Sequence, residues 1–559
     1  MINKILIKNF KGIKNSCIVN LDQPKNIFVG NNEAGKSTIL EAINLALTKR
    51  HLGLGIDFGL NPYIFNIEEV LRFYHKLENL ESWNHSTMPY ILIEIYFKNN
   101  TIYQFTEGSN NSLQENSCGI SLKIKFNEEY IQEFSEIYKQ SDLNSDKVKF
   151  VPHEFYNYEW KYFNGQTVTN KTMSFKVNFI DDSRKYNFNT TEKLTNQYSN
   201  QFLNKIEKAK LTSSYNKFKQ SFNNHEILNE LNNKLEELKE YTEKNMSIKL
   251  DMSPQFNWEG NMIPYLDDIP YTFIGKGEQN IINTLLAVKS FSDNQAYFNI
   301  TLLEEPENHL SFSKMYRMLH LIDGSISKDS QIFITSHSSN IINRLGLNYT
   351  FLLQKNSLNP VSFKSLNQGD IDFFKKTTGF DTLRVILSEK IVLVEGPADE
   401  LIFNRAFFDI KNKYRHESEI DVFSVNGTSF KRYLALKKIA MGSSQEIKKQ
   451  DSKVLVITDN DGQFEKKFND RFSEYRDICN LFIEPNNNLN TLEPSFIEVN
   501  IDKLNQIKTL FNPRNSENIT KLDLIKWMKD NKTKWALAVH DSEVQFNYPK
   551  NIVNAINTL

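Results

Sequence analysis

The chain has 559 residues, more than one hydrophobic core usually organises, so two or three domains are expected. Hydrophobic residues make up 40% of the sequence and charged residues 24%, as in folded globular proteins, and the formal net charge is −1. This charge excludes a uniformly basic nucleic-acid coat but leaves room for a local basic groove.

The cysteines and the apolar runs bear on the cellular compartment. Cys17, Cys118 and Cys479 stand far apart, without a CxxC pair, which argues against a zinc knuckle or a disulfide framework. The N-terminus lacks the apolar run of a signal peptide, and no stretch approaches the roughly 20 apolar residues that a membrane helix requires. We therefore expect a cytoplasmic protein with no membrane partner.

The first part of the chain alternates between strand-like and helix-like patterns. Its predicted elements, in chain order, are strands at 2–10 and 26–30, a helix at 37–49, alternating strands at 90–97 and 101–106, and further strands and loops across 120–180.

A polar segment rich in Lys and Glu follows, with a helical pattern across 191–245. Its apolar side chains form one stripe along 227–241, made by Ile227, Leu228, Leu231, Leu235, Leu238 and Tyr241. Two interpretations stay open: the helix packs on its own domain, or it is a helical insertion that forms a dimer contact.

The pattern in the rest of the chain predicts two series of alternating strands and helices, separated by a loop near 355–380. The first contains a helix at 281–291, a strand at 298–303, a helix at 311–322 and a strand at 331–335. The second contains strands at 390–394, 420–424 and 453–458, with helices near 398–411 and 428–441. We expect an α/β protein divided into 1–188 and 256–380 as two parts of one domain, 189–255 as the helical insertion, and 381–559 as a second domain.

A phosphate-binding motif begins at the end of the second predicted strand. Residues 30–38 read GNNEAGKST, a full GxxxxGK[ST] between strand and helix, where the positive end of the helix dipole also favours phosphate. Lys36 would reach the β- and γ-phosphates, and Ser37 would bind Mg²⁺. The residues expected to contact nucleotide here are Gly30, Asn31, Asn32, Gly35, Lys36, Ser37 and Thr38.

Acids and a histidine follow two later strands. FNITLLEEPENHL (298–310) is an apolar strand ending in Glu304, which would help to hold Mg²⁺ through water, and Glu305, which would polarise the attacking water. A helix N-terminus also favours acids, but that alternative does not explain why they follow a buried type of strand. His337, after the next strand, is placed to sense a γ-phosphate, although a lone histidine is usually structural.

The stretch IGKGEQN (274–280) precedes the helix that leads into the acidic strand. Gly275 and Gly277 would let the backbone contact a phosphate, and Gln279 could cap the helix or donate a hydrogen bond. GNNEAGKST, GKGEQ, LLEEPENHL and TSH, in this order, resemble the ABC-type ATPase heads of the SMC/RecF/Rad50 group. The resemblance implies ATP as ligand and a GKGEQ motif that acts across a dimer. The chain departs from the group's pattern because Glu304 replaces the usual Asp and GKGEQ is not the LSGGQ form.

A second set of acids ends strands of the C-terminal series. Glu395 ends the strand in IVLVEGPADE with Asp399 one turn onward, and VLVITDND ends in Asp459 and Asp461, whose i, i+2 spacing would point both side chains the same way. If these strands are neighbours in one parallel sheet, the four acids meet at its carboxyl edge. Clustered carboxylates repel unless they share a metal, and oxygen ligands suit Mg²⁺ or Mn²⁺, which in pairs can activate water and stabilise the leaving oxygen of a phosphodiester. The alternative is a solvated turn and an ordinary helix start.

These acids, with the glycine turn of VNGTSF (425–430), resemble the Toprim domain of topoisomerases, primases and some nucleases. An ATPase head followed by Toprim resembles the OLD (overcoming lysogenization defect) family nucleases, which include Gabija-type defence endonucleases. The resemblance implies cutting of DNA, a homodimer or larger assembly through the ATPase half, and a role in bacterial defence against phage.

The same resemblance implies two further site residues near the C-terminus. Glu493, in NTLEPSFIE, fits a further metal ligand, with a surface acid as the alternative. Lys532, in KTKWA, fits a lysine that would neutralise charge on the scissile phosphate, with Lys534 beside it; either could be merely solvated.

The leading hypothesis is therefore an ATP-regulated, metal-dependent DNA endonuclease. A DNA-end-binding or loading ATPase with a structural Toprim docking module is the alternative, and the four strand-ended acids argue against it. A primase-like or topoisomerase-like activity ranks lower, because no zinc module and no tyrosine nucleophile setting is evident. Relatives of this layout work with helicases, or beside a reverse transcriptase and its RNA–DNA product, and the sequence does not choose between these partners.

Overall fold

The computed structural model describes residues 1–51, 53–56, 60–78, 87–99, 103–140, 151–169, 175–181, 187–234, 247–253, 257–289, 298–326, 330–355, 359–377, 379–427, 429–442, 454–470, 472–511 and 519–559. They form two compact units, residues 1–337 with 353–360 and residues 338–352 with 361–559. Among the described residues, no helix has the length and apolar character needed to cross a membrane. The domain limits expected at 188, 255 and 380 stay predictions.

The N-terminal unit contains an antiparallel sheet. The strand Ile2–Phe10 lies between Ile13–Asn20 and Ile91–Phe97, and Ser117–Phe126 continues the sheet beyond Ile91–Phe97. Ser117–Phe126 also pairs with the short strand Glu107–Gly108 and with Tyr156–Tyr162. The predicted strands at 2–10 and 90–97 are thereby confirmed.

A parallel sheet positions the nucleotide motifs. Its strands run in the order Phe175–Asp181, Phe298–Glu304, Ser330–Thr335 and Lys25–Gly30, and Lys36–Thr48 is the helix that follows the last of these. Because parallel strands share a direction, the residues that follow Gly30, Glu304 and Thr335 emerge at one edge of the sheet. The strands predicted at 26–30, 298–303 and 331–335 are confirmed.

Two segments of the N-terminal unit differ from the sequence-based expectation. Residues 104–106, predicted as strand, form a short 3-10 helix in which the Thr106 hydroxyl donates to the Tyr103 carbonyl, a local bond that competes with a sheet ladder. The region 120–180 also contains the helix Ile131–Gln140, where only strands and loops were expected.

The remaining elements of the N-terminal unit are mostly helical. The helices are Ile67–Glu78, Asn187–Phe202, Lys205–Asn223, Glu226–Lys234, Lys276–Lys289 and Phe312–Gly324, and the short strand pairs are Arg50–His51 with Leu54–Gly55 and Tyr265–Leu266 with Ile269–Pro270.

The helical character expected for the insertion is confirmed as far as residue 234. Ile227 and Leu231, two members of the predicted stripe, are 70% and 43% exposed. Leu235, Leu238 and Tyr241 lie outside the described residues.

The C-terminal unit is built on a four-stranded parallel sheet in the order Ile420–Ser424, Lys390–Val394, Val454–Ile457 and Cys479–Phe482. Val392, Leu393 and Val394 are completely buried, which explains why this strand reads as a continuous apolar run. The strands that carry Glu395 and Asp459 are direct neighbours, which the sequence argument had required.

The other elements described from residue 339 onward are helices and an antiparallel strand pair. The helices are Ser339–Leu345, Gln368–Lys376, Thr382–Leu387, Pro397–Lys411, Phe430–Met441, Phe464–Asp470, Leu492–Val499, Leu504–Phe511, Lys521–Asp530, Lys532–Asp541 and Lys550–Thr558, and the strand pair is Thr350–Leu353 with Val361–Ser362. The core of the C-terminal unit joins the sheet to these helices through Phe403, Phe407, Phe496 and Trp535, all at most 2% exposed.

Candidate functional site

The lysine of the phosphate-binding loop donates hydrogen bonds to carbonyls of the same loop. Lys36 is 6% exposed, and its Nζ donates to the carbonyls of Gly30 and Asn31, each at 3.1 Å. Gly35 adopts φ 93°, which favours glycine, and a Cβ on Gly30 would lie 2.5 Å from the Leu353 carbonyl oxygen. Of the other predicted contacts, Asn31 and Asn32 are exposed, Ser37 is half-buried and Thr38 is buried.

The structure brings the acids and the histidine to this lysine. Burial lowers the pKa of Lys36, and the charges of Glu305, Glu304 and Glu307 oppose that shift, so all three carboxylates lie within electrostatic range of its amine. Nε2 of His337 lies 3.2 Å from Oε1 of Glu305. The N-terminal unit therefore assembles a positive phosphate-binding group, two strand-ended acids and a histidine in one place.

Glu307 is a site residue that the sequence analysis missed. Its Oε1 accepts from the Ser336 hydroxyl at 2.7 Å and from the His337 backbone N–H at 2.9 Å. Burial is the main cause that raises the pKa of Glu307. This carboxylate links the acidic loop to the histidine loop, and the third acid of EEPENHL was the signal that could have revealed it.

The residues of the GKGEQ motif differ in how closely other atoms approach them. A Cβ on Gly275 would meet no atom within 4 Å, whereas one on Gly277 would lie 2.3 Å from the His309 carbonyl oxygen. Gln279 is 9% exposed, and its Nε2 donates to the Tyr271 carbonyl at 2.8 Å. Gly275 is thus accessible to a ligand, whereas Gly277 and Gln279 contact other residues of this chain, and the nucleotide contacts expected for all three stay predictions.

In the C-terminal unit, Glu395 joins the two neighbouring strand ends. Its Oε1 accepts from the Asp459 backbone N–H at 3.0 Å and from the Thr458 hydroxyl. Asp399 caps its own helix, with Oδ2 accepting from the Gly396 N–H at 3.0 Å. Glu493 is 2% exposed and accepts from the Thr491 hydroxyl at 2.7 Å.

These acids and one lysine form an electrostatic unit, which we name the carboxylate cluster: Glu395, Asp399, Asp459, Glu493 and Lys532. Burial, then the negative charges of Glu395, Asp399 and Glu493, raise the pKa of Asp459 to about 8, and Lys532 opposes the shift. Burial, then Glu395 and Glu493, raise the pKa of Asp399 to about 7, again against Lys532. Glu493 and Lys532 therefore lie with the strand-ended acids, where the resemblance implied them.

Asp461 does not join the cluster. Its side chain is 62% exposed and pairs with Lys467, and its backbone has φ 46°. The expectation that Asp459 and Asp461 point the same way relied on strand alternation, but the strand ends at Ile457 and both aspartates lie in the turn beyond it. Lys534 is also directed elsewhere, with its amine 5.6 Å from the centre of the Trp527 ring.

The cluster offers the ligand chemistry of a hard divalent cation. Among the described residues, no three His, Cys, Asp or Glu side chains form a ready-made metal-ligand set. The donors nevertheless are carboxylate oxygens, which Mg²⁺ and Mn²⁺ prefer, and the mutual repulsion that raises two of their pKa values is what a shared cation relieves. A small cavity lined by Asp399, Thr458, Asp459, Ser495 and Asn551 opens beside them.

Comparison with known families assigns both halves. The family described as AAA ATPase domain matches residues 1–342, which is more than half of the chain. The chain belongs to this ATPase family. The Overcoming lysogenization defect protein-like TOPRIM domain matches residues 386–461 of the same ATPase, which include Glu395, Asp399, Asp459 and Asp461. The architecture is thus that of the OLD type, as the motifs predicted.

Among curated proteins, this AAA-family ATPase is similar to Endonuclease GajA of Bacillus cereus (strain HuB5-5). The two are 21% identical over 542 residues, covering 85% of this chain and 76% of GajA. Uncharacterized protein MJECL10 of Methanocaldococcus jannaschii is 30% identical over 126 residues, which cover 22% of this chain and 54% of that protein. Homology to an endonuclease and membership of an ATPase family together support an enzyme.

Two solved structures are also similar to this ATPase. An SMC head bound to the C-winged helix domain of ScpA is 13% identical, with a TM-score of 0.31, and the match covers 66% of this chain and 99% of that one. The recombination mediator RecF with ATPrS is 12% identical, with a TM-score of 0.33, and the match covers 65% and 98%. Likeness at these TM-scores carries no conclusion about function.

Proposed function

We propose that this protein is an ATP-binding, nucleotide-regulated DNA endonuclease that uses Mg²⁺ or Mn²⁺ to hydrolyse phosphodiester bonds. One observation carries the proposal: four carboxylates and a lysine converge at the carboxyl edge of the parallel sheet of the C-terminal unit. Ligands of open α/β sheets bind at that edge. Similarity to Endonuclease GajA supports the same reaction class.

The acids and the lysine of the carboxylate cluster would have different parts in the proposed reaction. Glu395, Asp399, Asp459 and Glu493 would hold the divalent cation, which when bound supplies an activated water and charge stabilisation at the phosphate. Lys532 would place a positive charge beside the scissile phosphate. The Glu395 carboxylate also accepts a hydrogen bond from the Asp459 N–H at 3.0 Å. This bond joins the two strand ends and would limit the movement of Glu395 and Asp459 relative to each other.

The nucleotide site would set the state of the nuclease. Lys36 would release the carbonyls of Gly30 and Asn31, at 3.1 Å, to reach the β- and γ-phosphates of ATP, and Ser37 with Glu304 would hold its Mg²⁺. Glu305 would orient the attacking water, and His337, 3.2 Å from Glu305, would sense the γ-phosphate. Bound ATP would thereby change the conformation of the acidic loop after Glu304, which Glu307 connects to His337 by a hydrogen bond.

The helical insertion would support a homodimer. Large apolar side chains are exposed along its helices Lys205–Asn223 and Glu226–Lys234, including Ile206, Phe218, Phe222, Ile227 and Leu231. Exposed apolar patches mark interaction surfaces in soluble proteins, and a second copy of this chain presents the same patch. The role in anti-phage defence rests on the resemblance to Gabija-type endonucleases.

The alternative is a DNA-loading ATPase with a structural Toprim docking module. Burial and like charge raise the pKa values of Asp399 and Asp459, so holding these acids together costs folding free energy. A docking module does not require that cost, whereas a metal-dependent nuclease does. The cluster therefore favours the nuclease.

The proposal is tested by incubating the purified protein with supercoiled and linear DNA, with Mg²⁺, Mn²⁺ or EDTA, and with ATP, ADP or no nucleotide. We expect cutting that requires a divalent cation and changes with the nucleotide. Equal cutting in EDTA, or no cutting of any DNA under any nucleotide condition, would reject it.

A further inference from the structure

Two helices of the C-terminal unit contribute side chains of opposite charge to the carboxylate cluster. The helix Pro397–Lys411 has Asp399 in its first turn, and the helix Lys532–Asp541 begins with Lys532. The helices pack on each other within the apolar core, which includes Ile402 and Phe403 on the first and Trp535 on the second. The separation of Lys532 from Asp399 therefore depends on how one helix lies along the other.

Arg405 links the two helices at the end of the Lys532 helix that lies away from Lys532. It lies about two helical turns beyond Asp399 on the first helix, and its side chain is 15% exposed. Its Nη1 donates to the His540 carbonyl at 2.9 Å and to the Ser542 carbonyl, at the end of the Lys532 helix. Carbonyls at a helix C-terminus lack intrahelical partners and favour a positive charge, so one guanidinium both caps this helix and joins it to its neighbour.

Asp409 and Tyr548 complete the arrangement. Nε of Arg405 donates to Oδ1 of Asp409 at 2.9 Å, and the Tyr548 hydroxyl donates to Oδ2 of the same carboxylate. Burial, and then the bond to Asp409, raise the pKa of the Tyr548 phenol, so it remains a donor. Tyr548 directly precedes Pro549, which lines the cavity beside Asp399 and Asp459.

We propose that Arg405, Asp409 and Tyr548 form a positioning network that sets Lys532 against the acids of the cluster. An apolar helix interface tolerates small shifts, whereas hydrogen bonds with fixed partners select one register. The network acts through the backbone of two helices, and its residues are positioning residues rather than catalytic ones. This inference rests on the proposed nuclease function, because Lys532 needs a set position only if it meets a substrate phosphate.

Tyr548→Phe is the mildest test, because it keeps the ring and removes one donor. We expect kcat for DNA cutting to fall about 10- to 100-fold with an unchanged KM for DNA, since displacement of a catalytic group by about 1 Å costs roughly that much. Ile556→Val, on the neighbouring helix of the same core, is the matched control: it should lower the melting temperature while it leaves the network intact. Equal kcat values for Tyr548→Phe and Ile556→Val would overturn the inference.

A second variant separates positioning from stability. Replacing the whole network by apolar residues (Arg405→Met, Asp409→Leu and Tyr548→Phe together) removes its three polar side chains at once. Only the His540 and Ser542 carbonyls lose a donor, and both belong to partly exposed residues at a helix end, where water can replace it, so the protein should still fold. We expect near wild-type melting with the same loss of kcat and with faster amide hydrogen exchange across the Lys532 helix. Wild-type kcat in this variant would show that the network only stabilises the fold.

Failure of the proposed function would look different. If neither wild type nor Tyr548→Phe cuts DNA, the nuclease is rejected, and hydrogen exchange across the Lys532 helix then decides the positioning claim alone. Faster exchange in Tyr548→Phe than in Ile556→Val would support it, and equal exchange would overturn it.

Discussion

Replacing Asp459 by Asn should stabilise the protein in the absence of divalent cations while it abolishes cutting. Asp459 sits in the carboxylate cluster, where burial and the charges of Glu395, Asp399 and Glu493 raise its pKa to about 8. Asparagine keeps the shape of the side chain but cannot ionise. Removing a charge that the fold disfavours should therefore increase the free energy of unfolding.

The pKa shift gives the expected magnitude. The shift runs from 3.8 to about 8, and each pKa unit corresponds to about 1.4 kcal/mol. An acid whose folded-state pKa is raised loses stability as the pH climbs from its unfolded pKa towards its folded pKa. At pH 7, about three units above the unfolded value, this penalty reaches about 4 kcal/mol, and the Asn variant avoids it.

The assay is thermal unfolding of the full-length protein in EDTA at pH 5 and pH 8. By the same reasoning the gain should be about 2 kcal/mol at pH 5 and about 5 kcal/mol at pH 8. For a unit of roughly 200 residues these gains correspond to rises of about 4–8 °C and about 10–20 °C. Adding Mg²⁺ should stabilise the wild type more than the variant. Asp461→Asn is the matched control, because that side chain is 62% exposed and surface changes stay within about 0.5 kcal/mol.

Two results would refute this reasoning. An Asp459→Asn protein that melts at or below the wild-type temperature at pH 8 would mean that Asp459 is not held against like charges. An equal gain from Asp461→Asn would mean that the effect reflects net charge rather than the cluster.

Three further outcomes follow from the two sites. Lys36→Ala should lose ATP binding by at least about 100-fold in equilibrium titration, and retained affinity would contradict the phosphate-loop assignment. Glu305→Gln should still bind ATP but hydrolyse it about 100-fold more slowly, and wild-type turnover would exclude Glu305 as the residue that orients water. Lys532→Ala should reduce DNA cutting about 100-fold, whereas Lys534→Ala, whose amine lies 5.6 Å from the Trp527 ring centre, should not; equal losses would remove the distinction between the two lysines.

The sequence alone predicts which strand or helix each main site residue follows. The strand–loop–helix setting of Lys36 and the apolar strands before Glu304 and Glu395 identify their elements, because a glycine-rich turn and a buried strand each have a local signature. The neighbouring positions of the strands that carry Glu395 and Asp459 were required by the chemistry and are confirmed by the sheet.

Other features depend on where an element ends or on distant partners. Asp461 was misplaced because the strand stops at Ile457, two residues before Asp459, and period-two alternation does not extend into a turn. Glu307 and Arg405 were missed because their roles come from tertiary contacts with Ser336, His337 and the end of the Lys532 helix. The hydrogen bond that the Gln279 amide donates to the Tyr271 carbonyl is another tertiary contact that the motif does not indicate, and the assignment of Gln279 to the nucleotide stays a prediction.

The most direct test of the central claim is cleavage of supercoiled plasmid by wild-type and Asp459→Ala protein, side by side in Mg²⁺ or Mn²⁺, with and without ATP. Binding of a fluorescent ATP analogue to both proteins serves as the folding control. We expect metal-dependent cutting by the wild type, its loss in Asp459→Ala, and equal nucleotide binding by both. Cutting by Asp459→Ala at the wild-type rate would contradict the assignment of the carboxylate cluster as the nuclease centre.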